Sequence, residues 1–168
     1  MAEREVLLLG DPRLKARAAP VGAVDEELGK DLLDTMGVAP GCVGLAAPQI
    51  GVSRRAFSLD VSAHPKGDPN HGEFVLFDPE LVLAGPSEVA REGCLSVPDL
   101  TANVRRATWV VVRGTDLDGS ERVIETSGFE ARALQHELDH LDGLLILDRV
   151  ASLRTDVFPR KVYQPRLD

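Results

Sequence analysis

The hydrophobic pattern changes twice along the chain, from helical spacing near the start to short strand-like runs and back to helical spacing. In the stretch VDEELGKDLLDTMG, apolar side chains recur every four residues at Leu28, Leu32 and Met36, which is typical of an amphipathic helix. Asp25 is placed to cap the N-terminus of this helix, and Gly37 is placed to end it. We therefore expect a first helix between these two residues.

The middle of the chain consists of short apolar runs separated by turn residues. RAFSLDV, EFVLF and ELVLA are the clearest runs, and TWVVVRGTDLDGSERVIET has the pattern of two strands joined by a turn at residues 116–119. The stretch SAHPKGDPNHG is polar and rich in glycine and proline, so it is predicted to be a loop in which His64 and His71 are solvated. The middle of the chain therefore predicts an antiparallel sheet.

A second amphipathic helix is predicted before Gly143. The apolar residues with helical spacing are Phe129, Ala133, Leu134, Leu138 and Leu141. Ser127 and Glu130 have the spacing of a capping box, in which two side chains satisfy backbone N–H groups at the helix start. The motif HELDH, residues 136–140, lies inside this helix.

Composition and charge narrow the possible classes of protein. The chain has 168 residues, of which 43% are hydrophobic, so we expect residues 1–168 to form a single domain with a sizeable core. A formal net charge of −8 argues against nucleic acid as a partner, because there is no basic excess to displace phosphate counterions. Two cysteines are too few for a disulfide framework, and the start MAEREVLLLG is not apolar enough for a signal peptide or membrane span. We therefore expect a cytoplasmic protein without a membrane partner.

The HELDH motif supplies the first candidate chemistry. His136 and His140 are four residues apart on a helix, so their side chains point the same way and can bind one metal ion. Glu137 is near enough to take a proton from a water at that metal. A catalytic metal of this type usually has a third protein ligand.

The third ligand is not apparent from the motif itself. A metzincin-like site needs a histidine at position 146, which is isoleucine, and a gluzincin-like site needs a later glutamate, but none follows Leu141. The remaining candidates are His64, His71, Cys42, Cys94 and the aspartates after Leu141. A thiolate is favoured, because the other groups are expected to be solvated. In REGCLSVPD, the flanking glycine and proline predict a turn or bulge that could present the cysteine to a cleft.

A third informative stretch is GCVGLAAPQIG, residues 41–51. The small residues Gly44, Ala46 and Ala47 would let the backbone of a ligand approach closely, and Gln49 would place one amide beside it. By itself the stretch also fits a tightly packed strand that enters a turn.

Taken in order, CVGLAAPQ, EGCLS and QHELDH resemble the motifs of peptide deformylase, GxGxAAxQ, EGCLS and QHExDH. The opening LGDPRLKARAAPV is also similar to the N-terminal segment of that family, so the resemblance covers most of the chain. It implies an α+β fold with antiparallel strands packed around a central helix that carries the HExxH motif. It also implies that Cys94 is the third metal ligand beside His136 and His140. The expected cofactor is one divalent ion, Fe²⁺ physiologically, with Zn²⁺, Ni²⁺ or Co²⁺ able to occupy the site.

The resemblance further implies a metal-dependent hydrolase that removes the N-formyl group from the N-terminal methionine of newly made polypeptides and releases formate. Glu137 would be the general base. The side-chain amide of Gln49 and the backbone N–H of Leu95 would stabilise the oxyanion. The expected partners are therefore N-formylmethionyl nascent peptides.

Substrate binding is expected to be mostly through the main chain. The resemblance implies that the peptide lies as an extended strand beside Val43, Gly44 and Gly93. Phe129 and Ala133, together with His136, would form the wall of the pocket for the methionine side chain.

Several positions depart from the family pattern. Cys42 replaces the first glycine of GxGxAAxQ, a form that looks like the mitochondrial branch, and we hypothesise that this second thiol makes the site sensitive to oxidation. Arg132 stands where many relatives have an aliphatic residue and is expected to point to solvent. Arg106 and Glu92 are expected to form a buried pair that braces the cysteine loop.

The C-terminal tail is basic but broken by Pro159 and Pro165, with charges at Arg154, Arg160, Lys161 and Arg166. Some relatives contact the ribosome through a basic C-terminal helix. This tail is shorter and broken, which argues against that route and predicts a tail packed on the domain with solvated charges; a transient ribosome contact is left open. Two alternatives to the deformylase hypothesis remain open, an inactive metal-binding homologue and a metallopeptidase. Glu137 and Gln49 argue against the first, because a structural metal site needs neither a base nor an oxyanion donor.

Overall fold

The computed structural model describes residues 3–161, in which helices and antiparallel strands are combined. The helices are α1 (Glu26–Val38), α2 (Gly128–Leu141) and α3 (Ile146–Arg149), with 3-10 turns at Pro12–Lys15 and Ala47–Ile50. The strands are β1 (Gly44–Ala46), β2 (Ala56–Leu59), β3 (Phe74–Ala84), β4 (Ser87–Cys94), β5 (Val97–Ala107), β6 (Trp109–Thr115), β7 (Glu121–Ser127) and β8 (Val157–Pro159). None of the helices within residues 3–161 is long and apolar enough to cross a membrane.

The strands form two antiparallel sheets. One has the order β1-β2-β3-β6-β7 and the other has the order β4-β5-β8. Helix α2 contacts strands of both sheets, so the expected α+β fold with antiparallel strands around a central helix is confirmed. The predicted hairpin is also confirmed, since β6 pairs with β7 and the N–H of Gly119 donates to the carbonyl of Asp116.

The core lies on both faces of the five-stranded sheet. On one face, Leu134 and Leu138 of α2 pack against Phe57 and Leu76 of the sheet. On the other face, the apolar side of α1 packs against a second set of buried residues, Leu45, Ala56, Val75 and Phe77. The sheet therefore separates the two long helices, and α2 occupies the space between the two sheets.

Helix α1 begins as the sequence predicts and ends slightly later. The Asp25 carboxylate accepts the N–H of Leu28 at 3.0 Å, which confirms the N-cap. The predicted end at Gly37 is wrong, because the helix continues through Val38. Gly37 keeps helical geometry, and a glycine inside a helix is tolerated at modest cost.

The predicted capping box of α2 is wrong. Ser127 is the N-cap residue, but its side chain makes no capping hydrogen bond to any described residue. Glu130 is instead fully buried, and its carboxylate accepts the backbone N–H of His71 at 2.7 Å. The glutamate therefore holds the loop before β3 rather than the start of its own helix.

Two strand assignments also differ from the sequence pattern. EFVLF and ELVLA are one strand, β3, with a register shift between Phe77 and Glu80. The Asp78 carboxylate at this irregularity accepts the N–H groups of Val21 and Gly22 at 2.7 and 2.9 Å, which fixes the N-terminal segment against the sheet. The long strands β4 and β5 extend well beyond the turn or bulge that REGCLSVPD predicts, and β4 has no apolar alternation because its only buried residues are Glu92 and Cys94.

Candidate metal centre

Cys94 lies at the tip of the hairpin formed by β4 and β5. It is the last residue of β4 and pairs with Val97, and the register shifts between Glu92 and Cys94. This irregularity agrees with the bulge that glycine and proline predict there. It turns the cysteine side chain inward, where Cys94 is buried against α2.

Three metal-binding atoms converge at this point. The Cys94 Sγ lies 3.4 Å from the His140 Nε2, which lies 3.2 Å from the His136 Nε2. All three atoms are within 4.8 Å of one another, and across residues 3–161 no other three or more His, Cys, Asp or Glu residues cluster in this way. One thiolate and two imidazoles suit a divalent transition metal, so the donor set fits a cation of the iron or zinc type.

The side chains of Cys94 and His136 shift each other's pKa. Burial by itself raises the pKa of the Cys94 thiol, but the His140 and His136 imidazoles outweigh it and hold that pKa well below its usual value. Burial lowers the pKa of His136, but Cys94 and Glu92 outweigh it and raise that pKa well above its usual value. The cysteine is therefore already disposed to be a thiolate, the form that binds metal.

Glu137 is a buried carboxyl group beside the three candidate ligands. Burial raises the pKa of Glu137, although His136 and His140 act in the opposite direction. Its Oε2 has no hydrogen-bond partner among the described residues. Its Oε1 lies so near Gly44 that a β-carbon there would be 2.6 Å away, which explains the glycine. An unpaired buried carboxylate oxygen indicates a place for a water or a substrate proton.

Gln49 is held in a fixed orientation next to the cysteine. Its Oε1 accepts the backbone N–H of Ala46 at 2.9 Å, and its Nε2 donates to the Ser96 Oγ at 3.1 Å. The same Nε2 lies 3.7 Å from the Cys94 Sγ. The amide N–H groups are therefore directed at the Ser96 hydroxyl and the Cys94 sulfur, one residue on either side of Leu95.

The site opens into a cavity of about 320 Å³. The residues expected to bind substrate all line it: Val43, Gly44, Gly93, Phe129 and Ala133. Gln49, Cys94, Leu95, His136 and Glu137 line it as well. The structure therefore brings together every residue that the sequence motifs assigned to the site, with His140 reaching the cluster from behind the cavity wall.

A buried ionic network supports His136 from behind. The Glu92 Oε1 lies 2.9 Å from the His136 Nδ1, and its Oε2 accepts from the Arg106 Nε at 2.9 Å and the Arg132 Nη1 at 2.7 Å. Burial raises the pKa of Glu92, but His136 and Arg106 outweigh it and bring that pKa to about 2. The expected pair of Glu92 and Arg106 is therefore present, and the carboxylate stays ionised to orient the imidazole.

The prediction that Arg132 points to solvent is wrong. The Arg132 side chain is buried. Besides its bond to Glu92, it donates to the backbone carbonyls of Val104 at 2.8 Å and Glu88 at 3.0 Å. Asp139, the aspartate of the QHExDH motif, to which the sequence assigned no role, is buried as well and accepts from Arg106 and Arg149. Helical spacing predicts which residues of α2 lie near Asp139. It does not predict the contacts with Arg106 and Arg149, which belong to β5 and α3.

The prediction that His64 and His71 are solvated is wrong for His64, which is only partly exposed, whereas His71 is exposed as expected. The His64 ring stacks on the Phe129 ring with centroids 4.0 Å apart, and His64 lines the cavity. The His71 Nδ1 lies 2.5 Å from the buried Glu130 carboxylate. Neither contact has a signal in the sequence, because both histidines lie in a polar loop without periodicity.

Comparison with known proteins extends these observations. A family model described as polypeptide deformylase matches residues 3–156. A peptide deformylase of Thermomicrobium roseum is 45% identical over 160 residues, which cover 92% of this chain and 90% of that protein. The crystal structure of a peptide deformylase from Legionella pneumophila is similar with a TM-score of 0.80 at 41% identity, over 90% of this chain and 88% of that one. A peptide deformylase from Synechococcus elongatus, solved in complex with actinonin, has a TM-score of 0.80 at 34% identity, over 92% and 82% of the two chains.

Proposed function

Because the chain belongs to the polypeptide deformylase family, we propose that Cys94, His136 and His140 bind the divalent metal with which it removes the formyl group from N-terminal formylmethionine. The observation that carries this proposal is the convergence of the three donor atoms within 4.8 Å of one another, next to an unpaired oxygen of Glu137. A purely structural metal site would not need that base.

The physiological metal in this proposal is one Fe²⁺ ion, with Zn²⁺, Ni²⁺ or Co²⁺ able to take its place. A thiolate beside two imidazoles supports either iron or zinc. When bound, the ion would supply a Lewis acid that acidifies a water and polarises the formyl carbonyl.

Glu137 is proposed as the group that moves the proton. Its burial and raised pKa support this role, because a more basic carboxylate accepts a proton from water more readily. The same carboxyl group would then give the proton to the leaving amine, so that formate and a free N-terminus are the products. Gly44 leaves the space that the carboxylate needs for both transfers.

Gln49 and Leu95 are proposed to stabilise the negative charge that develops on the formyl oxygen. The Gln49 amide is supported in this role by its bonds to Ala46 and Ser96, which aim the Nε2 toward the cavity. A donor that is already oriented needs no reorganisation during the reaction and is therefore more effective than water. The backbone N–H of Leu95 would be the second donor.

The peptide is proposed to bind as an extended strand between β1 and β4. Each of these strands ends the strand order of its sheet, so each has one edge facing the cavity. Main-chain groups at Val43, Gly44 and Gly93 could then pair with the peptide regardless of its sequence. Phe129, Ala133 and His136 would enclose the methionine side chain.

Three further expectations are part of this proposal. Residues 1–168 form a single catalytic domain, and the enzyme works in the cytoplasm on formylated nascent peptides. A transient contact with the ribosome also stays a proposal, although the short and broken tail argues against a docking helix. Arg154, Arg160 and Lys161 belong to the described residues, whereas Pro165 and Arg166 lie outside them.

Formate release from formyl-Met-Ala-Ser would test the proposed function. The iron-loaded protein, prepared without oxygen, is expected to release formate and to leave the acetylated peptide intact. Glu137→Gln should lower kcat by roughly 10²- to 10⁴-fold, the usual contribution of a general base, while metal content stays at one ion per chain. Cleavage of an internal peptide bond would indicate a metallopeptidase instead, and metal binding without any hydrolysis would indicate an inactive homologue.

A further inference from the structure

Two arginines lie at the mouth of the cavity without an acidic partner. Arg91 belongs to β4 and Arg160 follows β8, and both line the cavity that holds the candidate site. Within residues 3–161, neither arginine side chain forms a salt bridge. Glu92, which follows Arg91 on β4, is already bound by Arg106 and Arg132. The chain as a whole has a net charge of −8, so this local positive charge is unusual for its surface.

Arg160 is held directly against the strand that borders the cavity. Its Nη2 lies 3.4 Å from the backbone carbonyl oxygen of Cys94, and its guanidinium covers the face of Gly93 so closely that a side chain there would collide with it. Its Nε is buried and has no acceptor among the described residues. A buried donor without an acceptor indicates that a ligand atom belongs beside it.

Arg91 is also fixed in position while its charge stays uncompensated. Its Nε donates to the Asn103 Oδ1 at 3.0 Å, and its guanidinium lies 3.5 Å above the ring of Phe158. A neutral amide and an aromatic ring orient a guanidinium but do not neutralise it. Arg91 and Gly93 are two residues apart on β4, so they face the same side of the strand, about 7 Å apart along it.

We propose that Arg91 and Arg160 form an anion-recognising rim, which makes the enzyme favour substrates with an acidic side chain among the first two residues after formylmethionine. This inference rests on the proposed function, because the position of the peptide beside Gly93 is part of that function. Gly93 adjoins Cys94, so Arg160 would contact the residue that follows the methionine. The spacing along β4 then places Arg91 beside the next residue.

The rim should act mainly on KM. Both arginines are present before the reaction and lie away from the formyl carbon, so they attract a carboxylate equally in the ground state and the transition state. Salt should weaken the effect, because the mouth of the cavity is accessible to solvent ions. A basic residue at the same peptide position should be repelled.

The experiment compares formyl-Met-Xaa-Ala and formyl-Met-Ala-Xaa peptides, with amidated C-termini and Xaa as Asp, Asn or Lys. Formate release by the iron-loaded enzyme gives kcat and KM for each peptide. At low salt we expect Asp to exceed Lys about tenfold in kcat/KM, with Asn between them, since each exposed charge pair contributes a few-fold. The ratio should fall to about threefold or less in Arg160→Gln and should approach one in Arg91→Gln/Arg160→Gln.

Two further variants make the outcome decisive. Arg160→Lys keeps the charge and should retain most of the ratio, which separates charge from packing against Gly93. Arg154→Gln removes an exposed arginine that does not line the cavity and should leave the ratio unchanged. Equal kcat/KM for Asp and Lys peptides in the wild type, or an unchanged ratio in the double variant, would overturn the rim. No formate from any peptide would instead overturn the proposed function.

Discussion

At the scale of single residues, the two cysteines have opposite properties. The Cys94 pKa is held well below its usual value by the two histidines, whereas burial and the nearby Glu137 raise the pKa of Cys42 to about 12. The Cys42 thiol also donates to the carbonyl of Gly44 at 3.1 Å. Because peroxide reacts with thiolates, the structure argues against Cys42 as the oxidation-sensitive group.

Cys42 should therefore react slowly with alkylating agents until the solution becomes strongly alkaline. Ionisation begins as the pH approaches the pKa from below, so iodoacetamide labelling of Cys42 should rise only toward pH 12. Labelling is measured by peptide mass spectrometry on the metal-free protein over a range of pH. In a matched experiment, Cys42→Ser should lose activity to peroxide as fast as the wild type. A slower loss in the variant would mean that Cys42 is the sensitive thiol.

Arg132 is predicted to tune the metal site through Glu92. Arg132→Met removes one of the two guanidinium groups that hold the Glu92 Oε2, and Glu92 orients His136. Loss of such an outer contact typically weakens metal binding by roughly 10- to 100-fold. The measurement is metal affinity by competition with a chelator, with the absorption spectrum of the cobalt-loaded protein as a second readout.

Arg132→Lys keeps the positive charge and should restore part of the metal affinity. Arg105→Met is the matched control, because Arg105 is exposed and its one side-chain hydrogen bond among the described residues is a 3.4 Å contact with the Ser87 Oγ. If Arg132→Met bound metal as tightly as this control, Arg132 would serve only to join α2 to the β4–β5 hairpin.

At the scale of secondary-structure elements, the loop at residues 62–72 is attached to the first turn of α2. His71 binds the fully buried Glu130 carboxylate through both its backbone N–H and its ring, and His64 stacks on Phe129. Both rings of the stack belong to the loop–helix contact, and both line the cavity. The loop therefore borders the cavity through His64, while most of its other residues are exposed.

Glu130→Ala should loosen this loop. It leaves the two donors of His71 unpaired and should lower the free energy of unfolding by about 1–3 kcal/mol, measured by chemical denaturation. KM for formyl-Met-Ala-Ser should rise several-fold, because the His64–Phe129 wall is no longer fixed, while kcat should change little. The control Glu125→Ala removes an exposed carboxylate whose one side-chain hydrogen bond within residues 3–161 is to the Trp109 Nε1. An equal rise of KM in both variants would contradict a specific role of the loop.

The elements differ in how far the sequence predicts them. Clear apolar periodicity is found in α1, α2 and the β6–β7 hairpin. Each helix buries one side on the five-stranded sheet, and the hairpin buries one face as part of that sheet. Strand β4 has no comparable apolar pattern, because its exposed residues include the apolar Val89 whereas its buried ones are Glu92 and Cys94, which do not look like a core.

The site is predictable to a similar extent. Helical spacing alone brings His136, Glu137 and His140 together, because these residues are neighbours on one helix. The third ligand comes from a position 46 residues earlier than His140, so only tertiary structure or family resemblance identifies it. The same holds for Arg132, whose partners lie on β4 and β5.

At the scale of the whole molecule, the three candidate metal ligands come from parts of the fold that belong to different sheets. Cys94 belongs to the three-stranded sheet, whereas both histidines belong to α2, which packs on the five-stranded sheet. A bound ion would therefore link parts of the fold that are otherwise connected through side-chain packing and the Glu92 network.

Removal of the metal should lower the melting temperature. A ligand present at 1,000 times its Kd stabilises the folded state by about 4 kcal/mol, so chelation should produce a large shift in calorimetry. Hydrogen exchange should increase in β4 and β5 and stay nearly constant in β6 and β7. In Cys94→Ala the melting temperature should no longer depend on added metal. A wild-type protein whose melting temperature ignores chelation would rule out this link.

The open edges of β1 and β4 have a consequence for timing in the cell. A groove bordered by two strand edges accepts a chain end only while that end is extended. A polypeptide whose first residues have already entered a helix or a folded core could not be processed. We expect deformylation to compete with folding of the substrate's own amino terminus, and proteins that fold early from that end to keep their formyl groups longest.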